Sequence, residues 1–101
     1  PIHDNQTATH LYRIAQEAIT NALKHSRARS ITVSLEAHDS GVKLTIRDDG
    51  IGLNDQAEAA SGMGLKIMRY RASLIGATLN VESLDDGGTQ VVCTVAKEQT
   101  A

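Results

Sequence analysis

The order helix, hairpin, helix, hairpin along 101 residues predicts an α+β fold: a two-layer α/β sandwich with helices on one face of a mixed, mostly antiparallel sheet. Three observations carry this expectation. Two stretches place apolar residues at helical spacing, and others alternate apolar and polar residues as strands do. Clusters of Gly, Asp and Ser separate them. The length fits one domain, residues 1–101, which buries roughly 65% of the surface its unfolded chain exposes. An abrupt Pro1-Ile2-His3 start and a polar Glu98-Gln99-Thr100-Ala101 end suggest a piece of something longer.

Residues 1–6 lack periodicity and read as a lead-in. From about Thr7 to Lys24, Leu11, Ile14, Ala15, Ala18, Ile19, Ala22 and Leu23 mark one face of a long amphipathic helix. His25, Arg27 and Arg29 follow it with the late positive charge that a helix C-terminus favours. Ile31, Val33, Leu35 and Ala37 then alternate with polar residues, a half-buried strand. His38-Asp39-Ser40-Gly41 turns the chain into a second strand, whose inward set is Val42, Leu44 and Ile46. Residues 49–64 are rich in glycine, acid and small side chains, with a short helix expected around Asp55–Ala60. A second helix runs from about Gly64 to Ile75, with Leu65, Met68, Ala72 and Ile75 on one side and Gly76 to stop it. Strands Thr78–Ser83 and Thr89–Ala96, joined by Asp85-Asp86-Gly87-Gly88, complete the chain.

Composition narrows the function. Hydrophobic residues are 41% and charged residues 22%, the balance of a folded soluble domain. No apolar run nears the ~20 residues of a membrane span, and no signal peptide opens the chain. Net charge is −2, which argues against nucleic-acid partners and direct membrane contact, since both usually need clustered Lys and Arg. Tyr12 and Tyr70 are the whole aromatic complement, too few to stack bases of a single strand. The single cysteine, Cys93, has no internal disulfide partner and reads as a small core hydrophobe. The four histidines show no zinc-ligand spacing.

Function is sought where the pattern breaks. On the long helix, Arg13, Glu17, Asn21 and Lys24 form one polar stripe at i, i+4 and i+3 steps. A solvated face with local pairs is the plain reading. Asn inside a helix has no local purpose, however, and its carbonyl oxygen suits Mg²⁺, while Glu17 suits a proton acceptor. On the second strand, parity carries Val42, Leu44 and Ile46 on to Asp48, so that an acid points inward and Asp49 points out. A buried carboxylate needs a donor, either a backbone N–H of the next turn or the exocyclic amine of a purine. Thr89 shares inward parity with Val91, Cys93 and Val95, which puts a hydroxyl on the same face. Gly50 and Gly52 follow Asp48, and Gly62 and Gly64 precede a helix whose free N–H groups favour an anion. The bland reading of Gly87 and Gly88 is a hairpin turn.

These residues resemble the boxes of the GHKL (Bergerat-fold) ATPases. Glu17-Ala-Ile-Thr-Asn21-Ala-Leu-Lys24-His25 resembles the N box, Asp48-Asp-Gly50-Ile-Gly52 the first glycine box, Gly62-Met-Gly64-Leu65 the second, and Gly88-Thr89 the terminal GT element. All four occur in order over nearly the whole chain. The run from Leu11 to Glu17 and that from Gly64 to Ala72 are similar to two-component sensor histidine kinases, in the subgroup paired with NarL-type response regulators. The short stretch between Gly52 and Gly62, with no Phe-containing box, fits that subgroup.

The resemblance implies the catalytic, ATP-binding domain of a histidine kinase, working in the cytoplasm with its phosphoacceptor domain elsewhere. It implies that Asp48 accepts a hydrogen bond from the adenine amine, supported by Thr89. Asn21 coordinates Mg²⁺ bridging the phosphates, Lys24 and His25 contact phosphate, and Glu17 is the polarising base. Gly50, Gly52, Gly62 and Gly64 let the lid backbone close on ATP, and Leu65 belongs to the same nucleotide-binding set. Arg69 and Arg71 read as solvated surface or docking contacts. His3-Asp4 is not read as the phosphoacceptor pair. Two other readings stay open: a serine kinase of the anti-sigma-factor type, and a nucleotide-gated interaction module without phosphotransfer.

Overall fold

A computed structural model of the chain describes residues 5–50, 62–85 and 87–96. The elements are α1 (Asn5–Asn21), a π-helical turn (Ala22–Ser26), β1 (Ile31–His38), β2 (Gly41–Asp48), α2 (Gly62–Leu74), β3 (Thr78–Ser83) and β4 (Thr89–Ala96). The short helix expected near Asp55–Ala60 lies outside the described residues. The four strands pair in the order β1-β2-β4-β3, every contact antiparallel, so two hairpins join along β2–β4. The expected two-layer architecture is what the chain adopts.

The core lies between the inner sheet face and the helices. Leu11, Ile14 and Ala18 of α1 and Met68 and Ala72 of α2 bury against Leu44, Ile46, Val91 and Cys93. Each fully buried large side chain contributes about 1.5–3 kcal/mol. The helices run antiparallel, since Gly64 near the start of α2 lies against Asn21 and Glu17, whereas Arg71 near its end reaches His10. Helix α2 stops as its sequence requires. Gly76 takes φ +64, Ala77 N–H donates to Ala72 O at 2.9 Å, and Gly76 N–H donates to Ser73 O at 3.3 Å. That is the Schellman arrangement, which needs a left-handed residue after the helix.

Three expectations change. The long helix begins at Asn5 and is α-helical only to Asn21, after which it widens into the π-helical turn. Leu23 is 69% exposed: it stands one residue round the π-helical turn from buried Ala22, at the margin of the apolar stripe. On β1, Val33 and Leu35 pair across from Ile46 and Leu44, so they occupy the inner face, yet they are 47% and 59% exposed. The reason is coverage: α1 packs over β2 and α2 over β3, leaving the edge strand's inner side open.

Candidate nucleotide site

At one end of the sheet the pairing sets polar groups in a row. Asp48, the last residue of β2, pairs with Thr89, the first of β4, and Thr89 in turn pairs with Ser83 of β3. Directly opposed residues on antiparallel strands project to the same face, so the carboxylate and the two hydroxyls share the inner side. Asp48 is only 7% exposed. One carboxylate oxygen, Oδ1, accepts from Gly50 N–H at 2.9 Å, and the Asp48 side chain makes no other hydrogen bond among the described residues. Of the two donors weighed from the sequence, the turn amide takes one oxygen, and Oδ2 has no hydrogen bond among the described residues.

Glycine is required beside it. A Cβ on Gly88 would collide with the Asp48 carbonyl oxygen and lie 3.0 Å from its carbon and 3.2 Å from Asp49 Cα. Gly88 also holds φ +92, a conformation side chains avoid. The GT element is thus more than a hairpin turn: it lets the start of β4 cross against the backbone of Asp48.

The helix end is built from side chains. Glu17 and Asn21 of α1 are half-buried, and neither side chain makes a hydrogen bond among the described residues. Arg13, on the same polar stripe, donates to Gln16 Oε1 at 3.0 Å and lies over the Tyr12 ring. Glu17 and Asn21 face the first turn of α2. A Cβ on buried Gly64 would stand 2.7 Å from both amide atoms of Asn21 and 3.0 Å from Glu17 Oε1. The N-box acid and amide, and the free N–H groups of a helix start, thus converge with no side chain between them. Lys24 is exposed on the π-helical turn, a form that often marks functional positions within helices.

The remaining residues fall as follows. Gly50 supplies the amide to Asp48, and Gly62 opens α2. Leu65 is half-buried and packs against the core. Gly52 and the His25 side chain lie outside the described residues. Arg71, read as surface, bonds His10 Nδ1 at 3.3 Å across the helix pair, whereas Arg69 is exposed.

Sequence reasoning placed Asp49 outward and gave it no part. It does point out, but its Oδ1 accepts from Arg29 N–H at 2.8 Å and Ser30 N–H at 2.9 Å. The Ser30 and Arg29 amides hold its carboxyl below the usual carboxylate range. A second acid directly after an inward one was the available signal.

A family model described as histidine kinase-, DNA gyrase B-, and HSP90-like ATPase matches residues 6–99. The chain belongs to this family. Among similar members, the nitrate/nitrite sensor protein NarX of Escherichia coli (strain K12) is 42% identical over 93 residues, covering 92% of this chain and 16% of NarX. Sensor protein VraS of Staphylococcus aureus (strain COL) is 46% identical over 82 residues, covering 81% of this chain and 24% of VraS. The chain therefore spans under a quarter of either relative. Among solved structures, the ATP binding domain of PrrB from Mycobacterium tuberculosis is similar at TM-score 0.74 and 28% identity, over 90% of this chain and 69% of that one. The histidine kinase domain of the Erythrobacter litoralis EL346 blue-light activated kinase gives TM-score 0.74 and 25% identity, over 89% and 47%. The chain is a histidine-kinase-type ATP-binding domain with the Bergerat fold.

Proposed function

We propose that the chain is one catalytic domain of a longer sensor kinase, binding Mg·ATP and donating the γ-phosphoryl to a histidine of a separate phosphoacceptor domain. The observation that carries this reading is the paired arrangement of unused groups. Asp48, only 7% exposed, keeps one carboxylate oxygen with no hydrogen bond among the described residues beside Thr89, and the Asn21 and Glu17 side chains likewise have none beside Gly64. An adenine amine is the donor that Asp48 lacks, and Thr89 can support it directly or through water.

The donor set fits the metal. Mg²⁺ takes hard oxygen ligands and is usually held by one or two protein groups plus phosphate and water. Asn21, whose amide has no partner among the described residues, supplies one such oxygen. Bound there, the ion neutralises phosphate charge. Lys24 adds positive charge to a chain of net charge −2, and His25 is proposed as a further phosphate contact. Glu17 accepts the proton or polarises the attacking group as the terminal P–O bond breaks and the P–N bond forms, releasing ADP. Gly50, Gly52, Gly62 and Gly64 allow close backbone approach, and Leu65 fixes the first turn of α2 from the core side. Positioning and charge neutralisation supply most of the catalysis in such transfers.

As partners we propose the kinase's own phosphoacceptor domain and, through it, a response regulator of the NarL type, given the likeness to NarX. Among the described residues no helix is long and apolar enough to cross a membrane. Use of ATP puts the domain on the cytoplasmic side. Calorimetry with Mg·ATP tests the binding, and Asp48→Asn decides the base contact. The amide swaps one acceptor for a donor facing the amine, so affinity falls at least about tenfold. Unchanged affinity in that variant refutes the assignment. Incubation with a histidine-bearing helical domain tests the transfer: phosphohistidine is acid-labile, and an acid-stable product points to a serine kinase instead.

A further inference from the structure

The residue after the inward acid has a separate task. Asp49 Oδ1 takes the N–H groups of both Arg29 and Ser30, at 2.8 and 2.9 Å, and Asp49 N–H donates to Ser30 O at 3.3 Å. Three hydrogen bonds thus join the turn after β2 to the corner that links the π-helical turn with β1. Carboxylate bonds to backbone N–H are stronger than neutral ones. The corner is short. Arg27 to Ser30 are the only residues between Ser26 and Ile31, and Arg27 already holds a left-handed conformation at φ 56. On its other side the backbone of Asp48 and Asp49 lies close against Gly88, where a Cβ would collide with Asp48 O and stand 3.2 Å from Asp49 Cα.

We propose that Asp49 is a positioning residue, clasping the corner after the π-helical turn so that Lys24 is held in register with the base contact at Asp48. This rests on the nucleotide reading of the site and adds a link between its two ends. The clasp bypasses the core: residues 48, 49 and 50 connect Asp48 Oδ1 to Gly50 and Asp49 to Arg29 and Ser30 in one continuous set of bonds. The clasp needs only an acceptor oxygen, whereas Asp48 needs two.

The test uses the full chain in three forms: wild type, Asp49→Ala and Asp49→Asn, with Lys24→Ala and its double variant alongside. Amide hydrogen exchange at Arg29 and Ser30 requires no variant. Protection in the wild type is expected, and exchange at free-loop rates overturns the clasp. Mg·ATP is titrated by calorimetry and adenosine by NMR. Asp49→Ala binds ATP about tenfold more weakly while adenosine stays within about twofold. Asp49→Asn restores ATP binding because its carbonyl oxygen still accepts both N–H groups. Lys24→Ala adds little once Asp49 is Ala, because the two act together. Equal loss for ATP and adenosine, additivity with Lys24, or no loss at all overturns the inference while leaving the ATP site standing. A wild type that binds neither ligand refutes the nucleotide reading and this one with it.

Discussion

Asp48 and Thr89 sit at the ends of paired strands, and the position between them and the next turn is set by backbone: a ladder, a Gly50 amide, and a Gly88 with no space for a side chain. Glu17, Asn21 and Lys24 sit on a helix that changes from α to π just after Asn21, and what faces Glu17 and Asn21 is again a glycine, but one whose nearest neighbours are side-chain tips. The sheet end is therefore preformed, and the helix end is adjustable. A base has one shape and is recognised by fixed acceptors. Phosphates and a metal change position through a transfer, and side chains with free bonding capacity can follow them. The two glycines, at 88 and 64, separate these behaviours by substitution.

Gly88→Ala gives the largest effect. Its Cβ meets the Asp48 carbonyl oxygen, which belongs to the backbone of a central strand and cannot swing aside, and φ +92 is strained for any side chain. Loss of about 3 kcal/mol or more is expected, a large part of the stability of a domain this size. Urea unfolding checks it; a midpoint near wild type would show that the sheet end yields more readily than its backbone contacts imply.

Gly64→Ala breaks function and spares the fold. The new methyl stands 2.7 Å from the Asn21 amide and 3.0 Å from Glu17 Oε1, but these are ends of flexible side chains. Alanine's higher helix propensity, worth up to about 1 kcal/mol, offsets the readjustment. Stability stays within about 1 kcal/mol of wild type while Mg·ATP affinity falls about tenfold or more, since the displaced groups are the ones expected to meet metal and phosphate. Parallel thermal melts and calorimetry decide it. Equal damage from both glycine substitutions would erase the distinction between the two ends.

How much of this was written in the residues differs along the same line. The parity of β2 and β4 placed Asp48 and Thr89 inward, because strand alternation is local and strict. What parity does not specify is register, so the direct Asp48–Thr89 opposition emerged only when the two hairpins joined along β2–β4. Helix spacing brought Glu17 and Asn21 to one face, and the resemblance supplied Gly64 as part of the site. The contact between them depends on how α1 packs on α2, a tertiary fact with no sequence period. Asp49 was passed over because an outward acid after a strand looks like solvated surface; its partners, Arg29 and Ser30, lie about twenty residues earlier in the chain. Val33 and Leu35 misled for the opposite reason. Alternation reports which face a side chain takes, and it is silent on whether a helix covers that face.

Cys93 gives the smallest expected effect and the finest comparison. It is fully buried on β4, across from Leu44 and Leu79, and four residues along the same face from Thr89. Burial pushes its thiol from 9.0 up to about 11. A raised acid means the folded state keeps its proton longer than the unfolded chain. That contribution to stability is complete below about pH 9 and is lost as pH rises through about 11. Urea unfolding between pH 8 and 11, compared with Cys93→Ala, isolates the effect, since the two proteins differ in no other titratable group. Thiol labelling at pH 8 then reads the sheet directly. If β4 opens only when the whole domain unfolds, the labelling rate follows the global unfolding equilibrium and rises in Gly64→Ala no further than that variant's own change in stability. Faster labelling than global unfolding would show that the strand carrying Thr89 frays locally, and the sheet end would then be no more rigid than the helix end.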